Sequence, residues 1–409
     1  MHYSSLTRRI QGDGSAAWEL HFKASQRRAA GEAVIMLSVG DPDFDTPAPV
    51  VEAAVRSLRA GATHYAAIQG IPRLREAIAR RFSRHSGLSV QPAEVAVLAG
   101  AQCGLFSVAQ CLLEEGDEVI VIDPTYVTYE AVFGACGATM VRVAARPENG
   151  FVVRAEDIEA AITPRCRALV INSPHNPTGA LVPRATWLQI ASLCIRHDLW
   201  LISDEVYAEL VFEGEHVSPA ALAGMAQRTA TINSLSKSHA MTGWRIGWVV
   251  GPQELVAHLG RLSLCMLYGC PPFIQEAACA ALESELPELA RMRDDYRARR
   301  DAVCHALASA PGLAVCTPPA GMFVMVDVRA TGLSAYQVAE QLLARHAVSV
   351  LPGEPFGVQA AGHLRLGLVE PVPVLQQACQ HIRTLAQDLV QRRAAGQASS
   401  TTPPARSST

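Results

Sequence analysis

Short apolar runs alternate with longer amphipathic stretches along most of the chain. The apolar runs are bounded by turn residues and predict buried strands, while the stretches between them predict helices, for example over 101–113 and 184–196. This alternation is typical of an α/β domain with a mainly parallel sheet flanked by helices. The strands are predicted at 94–99, 118–122, 168–172, 200–203, 229–233 and 246–250.

The pattern changes near residue 290 and predicts a second, smaller α/β domain. A charged helical stretch at 291–300 is interpreted as a solvated face and nothing more. Further strands are predicted at 322–328 and 347–350, and further helices at 334–345 and 372–393. The predicted organisation is an N-terminal arm with part of the small domain (1–48), a large domain (49–290), a small C-terminal domain (291–393) and a Ser/Thr/Pro-rich disordered tail (394–409).

Composition narrows the class of protein. Hydrophobic residues make up 49% of the 409, enough for a large core, and the net charge of −3 is scattered along the chain. Scattered charge disfavours nucleic-acid and membrane partners and favours small molecules. We find no apolar run near the roughly 18 residues of a membrane span and no signal-peptide core. Eleven cysteines without CxxC or metal-like spacing indicate reduced thiols, a cytoplasmic protein and no metal site.

Polar and aromatic residues follow five consecutive predicted strands. In open α/β sheets, ligands bind beyond the C-terminal ends of the strands, so these residues are candidates for one site. Each segment alone would be an ordinary polar turn. The prediction of a common site rests on the occurrence of such residues after all five strands. The segments are Gly100-Ala101-Gln102, Asp123-Pro124-Thr125-Tyr126, the run from Ser173 to Gly179, Asp204-Glu205-Val206-Tyr207 and Ser234-Leu235-Ser236-Lys237.

Lysine is rare in this chain. Of the 35 basic residues only Lys23 and Lys237 are lysines, and the rest are arginine. A lysine can lose its proton and form a Schiff base, whereas an arginine stays protonated. Lys237 is therefore a candidate for covalent chemistry. The alternative is that it is an ordinary lysine without a catalytic role, which happens to remain in a chain poor in lysine.

Pyridoxal phosphate needs an amine for its aldehyde, a carboxylate at its ring nitrogen, donors to its phenolic oxygen and a phosphate cradle. Lys237 would hold the aldehyde as an imine. Asp204 follows the apolar run LWLIS and would keep the ring nitrogen protonated, although it could instead cap a helix. Asn176 and Tyr207 would donate to the phenolic oxygen; the alternatives are a turn residue and core packing.

The phosphate needs positive charge and free donors. Ala101 and Gln102 open a predicted helix, where backbone N–H groups and the helix dipole favour an anion. Arg245 lies eight residues after Lys237 and offers a bidentate fork, to which Ser234 and Ser236 would add hydroxyl groups. Together with the lysine, these residues predict a pyridoxal-phosphate site.

The segment SLSKSHAMTGWRIGW (234–248) resembles the lysine signature of the class I/II, fold-type I aminotransferases. Further blocks of that family occur in its order over roughly residues 30 to 370. They include SVGDPDFDTP (38–47), NSPHNPTGA (172–180), SDEVY (203–207), LPGEPFG (351–357) and HLRLGL (363–368). The resemblance implies a ping-pong aminotransferase in which Lys237, freed from the imine, is the base.

The resemblance also implies roles for residues outside the strand ends. Tyr126 would stack on the cofactor ring, and Tyr65 would reach the phosphate of the neighbouring subunit in a homodimer. Arg365 would clamp the substrate α-carboxylate, with Asn176 and the backbone of Gly40 beside it. The sequence agrees for Arg365, because an arginine within an apolar strand needs an anion, although a structural ion pair would also satisfy it.

The substrate follows from a narrower likeness. The phrases LSVGDPDFDTPAP, GEHVSPA and CMLYG are most similar to bacterial arginine:pyruvate transaminases, which implies arginine as donor and pyruvate as acceptor. A cationic side chain needs a carboxylate or an aromatic face, and Asp13 and Glu19 are carboxylates in the N-terminal arm. The alternatives are an aminotransferase for aspartate, aromatic amino acids or alanine, a C–S lyase on the same fold, and a non-catalytic ligand-sensing module.

Overall fold

The computed structural model describes residues 1–11 and 18–400. Its helices are α1 Leu6–Arg9, α2 Glu19–Ala29, α3 Ala48–Arg59, α4 Pro72–Ser86, α5 Ala101–Leu112, α6 Tyr129–Cys136, α7 Ala155–Ala161, α8 Arg184–Arg196, α9 Gln253–Met266, α10 Pro272–Glu283, α11 Pro287–Leu307, α12 Ala335–His346 and α13 Val372–Ser400. Its strands are β1 Ile35–Met36, β2 Val95–Leu98, β3 Glu118–Asp123, β4 Thr139–Ala144, β5 Cys166–Asn172, β6 Trp200–Asp204, β7 Thr229–Ser234, β8 Gly247–Val250, β9 Ala314–Val315, β10 Phe323–Asp327, β11 Val348–Ser349, β12 Leu351–Pro352 and β13 His363–Gly367.

A large mixed sheet forms the centre of the described chain, in the order β2-β8-β7-β6-β5-β3-β4. Strands β3 to β7 run parallel, while β8 is antiparallel to both β2 and β7. The predicted α/β fold with a mainly parallel sheet is confirmed, and the six predicted strands are present. The sequence analysis missed β4, because this edge strand is only partly buried and lacks a continuous apolar run.

Both faces of the sheet are apolar, as the continuous apolar runs require. Along β5, Ala168 and Val170 pack in one hydrophobic cluster, while Leu169 and Ile171 pack in another. Successive side chains of a strand point to opposite faces, so the two clusters lie on either side of the sheet. Helices cover such two-sided sheets, and they leave the strand ends as the place for polar groups.

The N-terminal segment joins the C-terminal part of the chain. Strand β1 pairs in parallel with β11, with Ile35 opposite Val348. Leu20 and Leu37 share a hydrophobic cluster with Leu342 and Leu364. A smaller antiparallel sheet, in the order β12-β13-β10-β9, completes this region. These contacts fit an N-terminal arm that contributes to the small domain, while the domain limits stay predictions.

The interpretation of 291–300 as a solvated face is wrong for two of its arginines. Arg299 is buried and donates to both carboxylate oxygens of Asp43, at 2.6 and 2.9 Å. Arg300 is also buried, donates to the Pro318 carbonyl oxygen at 2.9 Å and pairs with Glu213. A charged helix can bury arginine where a carboxylate or carbonyl oxygen meets the guanidinium. This face of α11 therefore packs inside the protein.

The last helix is longer than predicted. Helix α13 continues to Ser400, so the predicted disordered tail at 394–409 begins inside it. Residues 401–409 lie outside the described part of the chain. Within the part described, no helix is both long and apolar enough to cross a membrane.

Candidate active site

A cavity opens at the strand ends, where the sequence analysis placed the site. Its walls bring together ten of the predicted residues, with Leu105, Asn172 and Val206 in addition. The ten are Ala101, Gln102, Tyr126, Asn176, Asp204, Tyr207, Ser234, Ser236, Lys237 and Arg245. The structure shows that these ten residues line the same cavity, while their individual roles stay predictions.

The candidate phosphate-binding site consists of Arg245, Gly100 and the start of helix α5, and the direction of β8 brings Arg245 to it. Because β8 runs against its neighbours, Arg245 just before it lies at the edge where the other strands end. Its guanidinium donates to the Thr242 carbonyl oxygen at 2.8 Å and lies against Gly100. A Cβ at position 100 would come within 2.5 Å of Nη2, and its φ of +86° also favours glycine. Helix α5 starts beside this guanidinium at Ala101 and adds its free N–H groups.

Lys237 is half-buried and lines the cavity. Its Nζ donates to the Gly40 carbonyl oxygen at 2.6 Å. The pKa of the Lys237 amine is lowered to about 8, chiefly by burial and also by the charges of Arg365 and Arg245, while the Asp41 carboxylate opposes the shift. At neutral pH roughly a tenth of such an amine is uncharged. Lys237 can therefore act as a nucleophile and accept a proton near physiological pH.

Asp204 is a buried carboxylate with neutral partners. Its Oδ2 accepts from the Tyr129 hydroxyl at 2.8 Å, and its Oδ1 accepts from the Val206 N–H at 3.3 Å. Burial raises the pKa of Asp204 to about 6. A cationic ring nitrogen beside it would favour the charged form and supply the missing countercharge. The surroundings of Asp204 thus fit a pyridinium ring.

Two residues around Asp204 were missed by the sequence analysis. Asn172 donates to the Asp204 carbonyl oxygen at 2.9 Å and accepts from the Asn176 N–H at 2.7 Å. A polar residue at the end of an apolar strand is a signal that could have identified it. Tyr129 carried no such signal, because its orientation depends on where helix α6 begins.

Two hydrogen bonds connect Arg365 to Tyr207 through Asn176. Arg365 donates from Nη1 to Asn176 Oδ1 at 3.0 Å, and Asn176 Nδ2 donates to the Tyr207 hydroxyl oxygen at 3.3 Å. Burial raises the pKa of the Tyr207 phenol, so its own proton remains available to donate. Asn176 therefore links the guanidinium group of Arg365 to the phenol group of Tyr207.

Arg365 has the surroundings of an anion receptor. It is 2% exposed, and its Nη2 donates to the Ser38 carbonyl oxygen at 2.9 Å. The rings of Phe323 and Phe356 lie 4.2 and 5.0 Å from its Cζ, and its Nε has no partner. Burial lowers its pKa to about 10, which leaves it charged at neutral pH. No carboxylate pairs with it among residues 1–11 and 18–400, so an incoming carboxylate would complete its contacts.

Three further candidates in the described part of the chain, Gly40, Tyr65 and Glu19, are not among the residues that line this cavity, and neither is Arg365. Gly40 borders the cavity through its carbonyl oxygen on Lys237. Tyr65 is 86% exposed, and its ring contacts that of Tyr268 at a tilt of 55°, with the ring centroids 4.7 Å apart. Glu19 is engaged by Lys23 at 2.8 Å. Asp13 lies outside the described residues.

Replacing Arg365 with alanine should weaken the binding of amino and oxo acids. The change removes a buried charged donor and leaves the Asn176 and Ser38 oxygens without it, so we expect KM to rise by roughly 10²-fold for both substrates. Steady-state kinetics with each substrate varied in turn measures the effect. Arg154→Ala, on an exposed arginine, is the control. Unchanged apparent affinities would contradict the assigned role.

The combination of an α/β sheet, a half-buried lysine, a buried aspartate and a site for an anion defines a pyridoxal-phosphate enzyme of fold type I. The chain belongs to the class I and II aminotransferase family, whose model matches residues 32–382. The cofactor is accordingly pyridoxal 5′-phosphate, and the protein is an aminotransferase.

Named relatives agree with this family. The chain is 63% identical to the arginine–pyruvate transaminase AruH of Pseudomonas aeruginosa over 390 residues, which cover 95% of this chain and 99% of the relative. It is 40% identical to an aspartate/prephenate aminotransferase of Thermus thermophilus, covering 92% of this chain and 97% of the relative. The solved structure of aspartate aminotransferase from Thermus thermophilus with maleate superposes with a TM-score of 0.88 at 38% identity, over 94% of this chain and all of that one.

Proposed function

We propose that this aminotransferase moves the α-amino group of L-arginine to pyruvate. The observation that carries the proposal is the 63% identity to the arginine–pyruvate transaminase of Pseudomonas aeruginosa along nearly the whole of both chains. The other relatives named above act on aspartate or prephenate and are 38–40% identical. The same family thus includes other donors, and the higher identity favours arginine here.

The cavity residues supply the steps that such a transfer needs. Arg365 and Asn176 hold the α-carboxylate of the amino acid, and so fix its Cα near Lys237. Lys237, with its pKa lowered to about 8, takes the proton from Cα and returns it in the reverse half-reaction. Once the donor's amino group has displaced Lys237 from the cofactor, the bound pyridoxal phosphate would supply the electron sink for the pair released at Cα.

The remaining residues hold the cofactor in place. Asp204 would keep a positive charge on the ring nitrogen, Tyr126 would pack on the ring, and Asn176 and Tyr207 would donate to the phenolic oxygen of the bound cofactor. Arg245 binds the phosphate as a charged fork, supported by backbone N–H groups and hydroxyls. Ala101, Gln102, Ser234 and Ser236, which line the cavity, would supply these phosphate contacts.

We also propose a cytoplasmic homodimer with shared active sites. The exposed pair of Tyr65 and Tyr268 supports this proposal, because two large rings on the surface suit an interface with a second copy. In this arrangement Tyr65 reaches the phosphate in the partner's cavity. Light scattering should give twice the chain mass of 43.7 kDa, and a mass of one chain would contradict the dimer.

A screen of amino-acid donors with pyruvate as acceptor tests the substrate. Arginine should give the largest kcat/KM among arginine, alanine, aspartate and phenylalanine, by on the order of tenfold or more, because one well-placed charged contact is worth that much. Alanine formation is the measurement. A larger kcat/KM for any other donor would refute arginine as the substrate.

The same assay separates transfer from elimination. Transamination delivers the amino group to pyruvate and releases no ammonia, whereas a C–S lyase acting on a cysteine-like substrate releases ammonia together with pyruvate. Ammonia measured beside alanine therefore distinguishes the two reactions. Stoichiometric ammonia release would contradict transamination.

A further inference from the structure

We infer that Trp18 is the platform on which the guanidinium group of the donor stacks at the mouth of the active site. The inference rests on the proposed arginine donor and extends it, because it names a residue of this chain that selects the side chain. Trp18 is half-buried, directly before helix α2, so part of its ring remains accessible.

Hydrogen bonds and ring contacts lead from Trp18 to the arginine that binds the α-carboxylate. The Trp18 and His21 rings meet edge to face with centroids 5.7 Å apart. The His21 Nδ1 lies 2.9 Å from the Ser38 hydroxyl, and the Ser38 carbonyl oxygen accepts from Arg365 at 2.9 Å. Trp18 is therefore three contacts away from the guanidinium of Arg365.

Packing gives a second, independent indication of the same place. Trp18 and Tyr126 both pack against one hydrophobic cluster, formed by Val127, Phe151, Ala180, Met325, Leu351, Phe356 and Ala360. Within this cluster, Phe356 lies 5.0 Å from the Cζ of Arg365, and Tyr126 lines the cavity. Trp18 thus shares this cluster with a residue of the cavity wall and with the ring beside Arg365, and a side chain as long as that of arginine extends toward it from a carboxylate held by Arg365.

The charges of the site favour an aromatic platform over a carboxylate. Asp204 is the acidic residue among the described cavity walls, and it is directed to the ring nitrogen. Glu19, adjacent to Trp18, is engaged by Lys23. The face of a tryptophan attracts a cation most strongly among the aromatic side chains, and guanidinium groups stack well on it. Trp18 can therefore offer a surface for a cationic side chain beside these two engaged carboxylates.

Comparison of arginine with citrulline tests the inference, because citrulline has the same length without the charge. In Trp18→Leu the ratio of kcat/KM for arginine to that for citrulline should fall by about 5- to 30-fold, the size of a partly desolvated cation–π contact. Trp18→Phe keeps an aromatic face and should retain most of the ratio. Phe22→Leu, on a 62% exposed ring of the same helix, should leave it unchanged.

Other outcomes would overturn the inference separately from the proposed function. An unchanged ratio in Trp18→Leu, or equal losses for arginine and citrulline, would remove the platform while arginine stays the donor. A selective loss of arginine in Asp41→Asn but not in Trp18→Leu would place the recognition at Asp41, whose carboxylate accepts from Thr242 near Lys237. Wild-type protein with no preference for arginine would refute the proposed function, and the platform with it.

Discussion

Alanine in place of Lys237 should abolish transamination while leaving the fold intact. The change removes both the amine that holds the cofactor and the base that moves the Cα proton, so we expect turnover to fall by about 10⁴-fold or more. The side chain makes a single hydrogen bond, to Gly40, and its loss should cost little stability. Turnover of the purified variant and the visible absorbance of the cofactor bonded to the lysine are the measurements.

The composition of the chain offers a matched control for this experiment. Lys23 is the other lysine; it lies on α2 and forms an exposed ion pair with Glu19 at 2.8 Å. Lys23→Ala should keep normal turnover and normal absorbance, because exposed pairs contribute little to stability. Wild-type turnover in Lys237→Ala, or loss of absorbance in Lys23→Ala, would show that Lys237 is not the cofactor lysine.

Asp204→Asn should reduce kcat by about 10²- to 10³-fold. In the wild-type protein the Tyr129 hydroxyl donates to Asp204 Oδ2 at 2.8 Å. Asparagine keeps the shape of the side chain and an oxygen that can accept this bond, but it cannot hold a positive charge on the ring nitrogen. Charge stabilisation of this kind in a buried site is worth two to three orders of magnitude. Single-turnover rates with saturating amino acid measure the effect.

A control for Asp204 is an aspartate that is exposed. Asp198 has an almost fully accessible side chain and pairs with Arg228 at 3.1 Å, so Asp198→Asn should leave kcat unchanged. Cofactor bound to the purified Asp204→Asn protein should be measured as well, because a lost cofactor would also lower the rate. A fully loaded variant with the wild-type kcat would contradict the role of the carboxylate.

Much of the site could be predicted from the sequence because its residues follow apolar strands directly. The runs that end at Asn172, Asp204 and Ser234 are buried on both sides, and parallel strands bring their C-terminal ends to one edge. Residue type then limits the possible function of each position, because a rare lysine, a carboxylate after a buried strand and an arginine within an apolar strand each need a specific binding partner. The sequence blocks shared with the aminotransferase family predicted the remaining site residues.

Other parts of the site depend on long-range packing. Tyr129 reaches Asp204 across 75 positions, and Asn176 reaches Arg365 across 189. The family resemblance placed Asn176 beside Arg365, but the sequence indicated neither their direct hydrogen bond nor the contact of Tyr129 with Asp204. The burial of Arg299 was missed for the same reason, because its carboxylate partner, Asp43, lies far away in the chain.

The sequence by itself determined the alternation of elements, the family and the residue types that a pyridoxal-phosphate site requires, because these depend on local pattern and side-chain chemistry. Only the tertiary structure decided that β8 is antiparallel, and thus that Arg245, which precedes its strand, meets residues that follow theirs. It likewise decided the neighbours of Trp18. Strand direction and distant neighbours are fixed by packing of the whole chain, and no local pattern encodes them.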